Sequence, residues 1–195
     1  MAYFMRFCKK ASLLLLLICM TSFAFAAGSS INIKNAELEL QDDYYGLNAD
    51  VDMSFDKEIE EAINKGVPLN FLIEFQIVSP RKYWFDDEIV TTTQSVSLSY
   101  HALSRQYLVN RGVHQQSFAS LSEAMHELVT LNDWKVVDKS ALEKSEIYKA
   151  ALLIRLDQAK LPKAIQVDSI ASEKWSISSQ KFEWVLKEAS SKVLK

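Results

Sequence analysis

The chain has 195 residues, with 22 basic and 25 acidic side chains and a net charge of −3. Its two cysteines, Cys8 and Cys19, both lie near the start, so the rest of the chain has no disulfide, thiolate metal site or cysteine nucleophile. Four glycines and three prolines provide neither a linker that would divide the chain nor the clustered glycines of a phosphate-cradling loop.

Residues 1–26 read as a cleavable secretory signal peptide. Arg6, Lys9 and Lys10 supply the positive start, and Leu13 to Leu17 form the centre of an apolar run from Ala11 to Met20. Ala24-Phe25-Ala26 gives the small-x-small pattern of a cleavage site. The expected location is therefore the periplasm. An uncleaved anchor is the rival reading, because Ala11 to Ile33 carries no charge, but Gly28, Ser29, Ser30 and Asn32 dilute its second half. A lipoprotein signal fits less well, since Ile18 stands where a small residue should precede Cys19. Cleavage leaves 19 basic against 25 acidic residues, a net charge of −6. That balance argues against nucleic acid or an anionic lipid surface as partner. It also leaves no transmembrane span. The remaining 169 residues suit one domain, and a chain of that size buries ~70% of its unfolded surface without staples.

Residues 27–195 are then expected to form one β-rich domain. Ile31 and Ile33, then Leu38 and Leu40, mark a first strand whose parity slips near Ala36, as at a bulge. Asp42 to Gly46 reads as a turn. Leu47, Ala49, Val51, Met53 and Phe55 alternate with polar residues, which predicts a strand with one wet face. Asp56 caps a short helix with Ile59, Ala62 and Ile63 on one face, stopped by Gly66 and Pro68. Leu69, Phe71, Ile73, Phe75 and Ile77 restore the period of two. Arg81 to Glu88 reads either as a strand and its turn or as one exposed loop. Ile89 to Leu98 suits an exposed strand, and Tyr100 to Val109 reads as another. Ser120-Leu121-Ser122-Glu123 is a capping box opening a second helix. Trp134 to Val137 is a short strand. Tyr148 to Leu156 is apolar on both faces, hence central. Trp175 to Ile177 and Phe182 to Leu186 have opposite parity, with a turn at Ser178 to Gln180 between them. Ala189 to Lys195 is expected to fray.

This pattern predicts a mainly β fold: an antiparallel β-sandwich, immunoglobulin-like or related, of about eight or nine strands with two short inserted helices. An open sheet with both helices on one face is the alternative.

The sequence resembles an uncharacterised proteobacterial envelope family, domain of unknown function family 4390. The likeness is carried by Glu61-Ala62 with Gly66-Val67-Pro68-Leu69, by Tyr83-Trp84, by Tyr100-His101-Ala102-Leu103-Ser104-Arg105-Gln106-Tyr107, and by Leu156-Asp157 with Leu161-Pro162. Ser120 to Ala124, Trp175 and Trp184 fit as well. The resemblance implies an envelope location, a single domain and a sensory context, because members are often encoded beside a nitrogen-regulation-type sensor kinase. It implies no catalytic residue.

Chemistry-bearing groups are few. His126-Glu127-Leu128-Val129-Thr130 starts like a zinc-protease helix, but Thr130 stands where the second histidine belongs. His101 and His114 lie where they could meet across a hairpin, yet two ligands do not close a zinc site. Asp50 and Asp52 share a strand face roughly 7 Å apart, near Asp42 and Asp43, without a calcium-loop pattern. No Gly-x-Ser-x-Gly elbow occurs. No metal or cofactor is expected.

Two segments are candidates for binding. Arg81, Lys82, Tyr83, Trp84 and Phe85 form either a strand with one side in the core or an exposed recognition patch. Tyr100, His101, Arg105 and Tyr107 place Arg105 and Tyr107 as strand neighbours on one face, suited to a carboxylate or glycan, or else to holding the fold together. The functional expectation is a non-enzymatic periplasmic protein that binds an envelope protein. Two alternatives stand beside it. One is a carrier of an apolar ligand such as a lipid, in a cavity lined by Phe71, Phe75 and Leu152. The other is an enzyme with a dispersed site, in which His101 or His114 meets a carboxylate or serine.

Overall fold

A computed structural model describes residues 28–83, 85–143, 146–171 and 173–186. The expected signal peptide, Trp84 and the expected fraying end lie outside the described residues.

The strands are β1 (Ser30–Leu40), β2 (Tyr44–Ser54), β3 (Leu69–Ser79), β4 (Asp87–His101), β5 (Gln106–Arg111), β6 (His114–Phe118), β7 (Leu131–Asp138), β8 (Tyr148–Leu156) and β9 (Phe182–Leu186). Helix α1 (Lys57–Asn64) follows β2, α2 (Leu121–Val129) follows β6, and α3 (Lys163–Ala171) follows β8. The strands form two antiparallel sheets, β1-β2-β7 and β6-β5-β4-β3-β8-β9.

The alternation in β3 positions everything else. Leu69, Phe71, Ile73, Phe75 and Ile77 are all 0% exposed. They line the inner face of the large sheet, where β8 adds Leu152, Ile154 and Leu156. The small sheet turns Ile31, Ile33, Leu47 and Val51 into the same core. Phe55 stacks on Phe71 at 6.1 Å, and Thr92 Oγ1 on β4 donates to the Val136 carbonyl on β7, which ties the sheets together. On the opposite face of β4, Thr91, Thr93 and Ser95 are exposed, as expected for a sheet wet on one side.

Local signals behave as their chemistry requires. In β1 the register shifts between Ile33 and Asn35, so the bulge falls at Lys34, two residues before its expected place. The bulge lets Ile31 and Ile33 face inward before it and Ala36 after it. Asp56 Oδ1 accepts the Ile59 amide at 2.9 Å and caps α1. Gly66, at φ +90°, closes that helix: its amide reaches Ile63 O at 2.8 Å and the Val67 amide reaches Ala62 O at 3.0 Å. Ser120 Oγ accepts the Glu123 amide at 3.2 Å at the start of α2.

Several expectations are corrected. Tyr100 to Val109 is not one strand. β4 runs through Tyr100 to His101, turns over Ala102 to Arg105 and returns as β5, with Arg105 at φ 54°. No glycine or asparagine marks that turn, because the long pairing on either side of it holds Arg105 in the left-handed region. The β5–β6 hairpin is additional, and Gly112 at φ 61° opens its two-residue turn. Trp175 to Ile177 is not a strand: Trp175 ends a short 3-10 turn. The expected turn at Ser178 to Gln180 runs along the edge of β8 instead. There the Ser179 amide donates to Ile154 O at 2.8 Å, and Ser179 Oγ accepts the Ile154 amide at 3.0 Å. Finally, α3 is a third helix. Pro162 starts it, its carbonyl accepting the Ile165 and Gln166 amides, but its apolar residues form no stripe.

Candidate functional site

The two candidate segments fall at opposite ends of β4. Arg81 and Tyr83 precede its start, whereas His101 closes it. A strand of that length separates them by about 45 Å, so they do not form one site.

At the first end, residues 80–83 and 85–86 lie in the tip of the β3–β4 hairpin, in an exposed loop and not in a strand half in the core. Tyr83 is 86% exposed and Phe85 is 85% exposed. The acids that follow the aromatics close the loop. The Arg81 guanidinium pairs with the Asp87 carboxylate, and the Arg81 amide donates to Asp86 Oδ1 at 3.2 Å. Lys82 Nζ lies 5.5 Å from the centre of the Tyr83 ring, a cation–π distance. One residue inside the tip the pairing slips, with Ile77 opposite Val90 but Val78 opposite Glu88. That bulge re-aims the loop. β8 begins and β9 ends at the same end of the sheet, since Val78 pairs with Lys149 and Tyr148 with Leu186. Ile147 and Val185 are exposed there too. Lys181 holds the Glu183 carboxyl below the usual carboxylate range by a hydrogen bond and its charge, while the charge of Asp86 opposes this from the tip. This end therefore combines two cations, exposed aromatics and an apolar margin.

At the other end, Tyr100 and Tyr107 pack with ring centroids 5.0 Å apart, and Tyr107 Oη donates to Asn64 Oδ1 at 2.6 Å. Tyr107 thereby fastens β5 to the end of α1. Burial, with smaller effects of Tyr100 and Glu60, raises its pKa above the usual phenol value. Arg105 is not its strand neighbour: it stands exposed in the turn. The carboxylate or glycan cradle expected from those two side chains does not form, and Tyr100 with Tyr107 does the structural job instead. His101 does meet a serine, with Nδ1 2.9 Å from Ser104 Oγ, but the Ser104 amide also donates to that nitrogen at 3.3 Å. The contact closes an exposed turn, and among the described residues Ser104 is the only hydrogen-bond partner of the His101 imidazole.

His114 does not approach His101. They sit at opposite ends of β5, opposite Arg111 and Gln106, about 17 Å apart by strand rise. His126 is exposed on α2. Asp52 pairs with Lys34 at 2.8 Å, which raises the lysine pKa, while Asp42 and Asp43 lie beyond the other end of β2. Among the described residues no group of three or more His, Cys, Asp or Glu side chains is placed to hold a metal ion. Phe71, Phe75 and Leu152, expected to line a ligand cavity, are wholly buried. Phe55 covers the first ring and Trp184 lies 6.1 Å from the second, so these residues are core packing. Among the described residues no helix is long and apolar enough to cross a membrane.

Arg111 is a residue that sequence reasoning missed. It reaches from the inner face of β5 to the end of α2, where Nη2 donates to the carbonyls of Glu127, Leu128 and Thr130 at 3.0, 3.3 and 3.1 Å, and Nη1 donates to Gln94 Oε1 at 2.7 Å. Burial lowers its pKa. An arginine facing the core in a strand two residues after Val109 is the available sequence signal. Gly46 and Asp133 were missed as well. A Cβ on Gly46 would lie 2.1 Å from Asp133 Oδ1, and Asp133 sits at φ 50°.

A family model described as Domain of unknown function (DUF4390) matches residues 28–185. No curated protein and no solved structure matches the chain.

Proposed function

We propose, from the premise that the chain belongs to the DUF4390 domain family, that it is a non-enzymatic binding protein of the bacterial periplasm. Its partner is an envelope protein, and its contact surface is the β3–β4 hairpin tip. The observation that carries this reading is the exposure of Tyr83 and Phe85 on a loop that Arg81 closes against Asp86 and Asp87, with Lys82 beside the Tyr83 ring. Large exposed apolar side chains grouped at one end of a domain mark interaction sites more often than chance placement does. Export through residues 1–26 supplies the location. The association of similar proteins with a sensor kinase makes the extracytoplasmic part of such a kinase the first partner to titrate.

The test is crosslinking in intact cells, followed by direct titration of the captured envelope protein with purified material. The Tyr83→Ser/Phe85→Ser variant is expected to lose the crosslink and the binding while its thermal unfolding stays unchanged, because neither side chain is in the core. Equal capture by wild type and variant, or no envelope protein captured by either, overturns the proposal.

A further inference from the structure

Of the free sheet edges among the described residues, three are guarded against pairing. β1 carries Lys34, Glu37, Glu39 and its bulge. β7 carries Asp133, Lys135 and Asp138 and has two register breaks against β2. β9 carries Glu183, paired with Lys181 just before the strand. Charges, bulges and irregularities of this kind are how sheets prevent edge-to-edge association. β6 has none of them. His114-Gln115-Gln116-Ser117-Phe118 is regular, free of acid, lysine, arginine and proline, and exposed along its first four residues.

We propose that β6 pairs with β6 of a second copy of this chain across a two-fold axis at Gln116, joining the two large sheets into one. The register follows from the hairpin. A two-residue turn closes on a hydrogen-bonded pair, here Arg111 and His114, and such pairs alternate along an antiparallel ladder. The backbone groups of His114, Gln116 and Phe118 are thus spent on β5, and those of Gln115 and Ser117 point outward. Antiparallel self-pairing centred on Gln116 sets Gln115 of each copy opposite Ser117 of the other, so every outward group finds a partner. Parity is kept, so inner faces meet inner faces, and His114 lies opposite Phe118. A two-fold axis brings each residue close to its own copy, so an edge bearing like charges repels itself there. A neutral edge is the one that tolerates such an axis. The Glu127 carboxylate beside β6 is held on its own chain by Gln116 Nε2 at 3.3 Å. At the turn beside β6, Val113 is 95% exposed, and the same register sets it against Ala119 of the second copy.

The experiment uses residues 28–195, which contain every described strand and helix and no cysteine. Sedimentation is expected to show a concentration-dependent dimer. Ser117→Pro removes an outward amide that β5 does not use, so it is expected to fold normally and weaken the dimer at least about tenfold. Gln116→Cys puts two thiols across the axis at a backbone separation of ~4.5 Å, within disulfide range. It is expected to form a covalent dimer under mild oxidation, faster than Leu103→Cys, which sits exposed at a different turn. A monomer at all concentrations overturns the proposal. So does a dimer that Ser117→Pro leaves intact, which would place the contact on another face.

Discussion

Arg111 shows how one side chain joins two elements. The end of α2 presents carbonyls with no partner inside the helix and the negative pole of the helix dipole. A guanidinium with several donors in a fixed fork meets the Glu127 and Leu128 carbonyls at that end, the Thr130 carbonyl just past it and the Gln94 amide oxygen together. Hydrogen bonds from a charged donor contribute about 1.5–3 kcal/mol each time a partner would otherwise be stranded. Arg111→Ala is expected to lower unfolding stability by about 2 kcal/mol in chemical denaturation, and Arg111→Lys by an intermediate amount, because one ammonium cannot span the same acceptors. Equal stability of the alanine variant would show that water replaces these bonds without loss. At this scale the binding candidates also separate. Tyr83 is exposed with nothing of the core behind it, whereas Tyr107 is engaged by Asn64 and Tyr100. Both are tyrosines among aromatic and cationic neighbours in the sequence, and only their surroundings in space distinguish them.

The pairing of β2 with β7 is decided by a single missing side chain. At Gly46 the register breaks and the Asp133 carboxylate packs over the glycine, while Tyr44 Oη donates to Asp133 Oδ2 at 2.9 Å and the Asp133 amide to Asn48 Oδ1 at 2.7 Å. Gly46→Ala is expected to destabilise the protein by about 1–3 kcal/mol, the usual cost of overpacking. Asp133→Gly in that background is expected to restore most of the loss, since it removes the clashing oxygen and relaxes a backbone at φ 50°. Additive losses, measured as a double-mutant cycle by thermal unfolding, would refute the coupling. The caps of α1 and α2 were readable because Asp56 and Ser120 act on amides three residues away. The β4–β5 turn was not, because its strained residue is Arg105 and the cause lies in strand pairing on both sides. Helix α3 was not, because a helix without an apolar stripe leaves no period to read.

The molecule as a whole rests on one core between two sheets, and Phe71 is at its centre, 0% exposed and stacked on Phe55 from the strand end before α1. Phe71→Ala is expected to cost about 3–5 kcal/mol, a large part of a typical total of 5–15 kcal/mol, seen as a lower midpoint in denaturant. A loss below about 1 kcal/mol would mean the ring is not packed as described. The sequence by itself determined the strand faces, the helix caps and the bulge in β1, because side-chain alternation and capping are local and a residue's neighbours along the chain impose them. It also determined that residues 28–195 contain no cysteine. Only the tertiary structure decided that Arg81 and Tyr83 stand at one end of β4 while His101, Arg105 and Tyr107 stand at the other, and that β6 is an open edge among the described residues. Those facts depend on the order and register of strands far apart in sequence, set by which apolar faces can be buried together, and no local period encodes them.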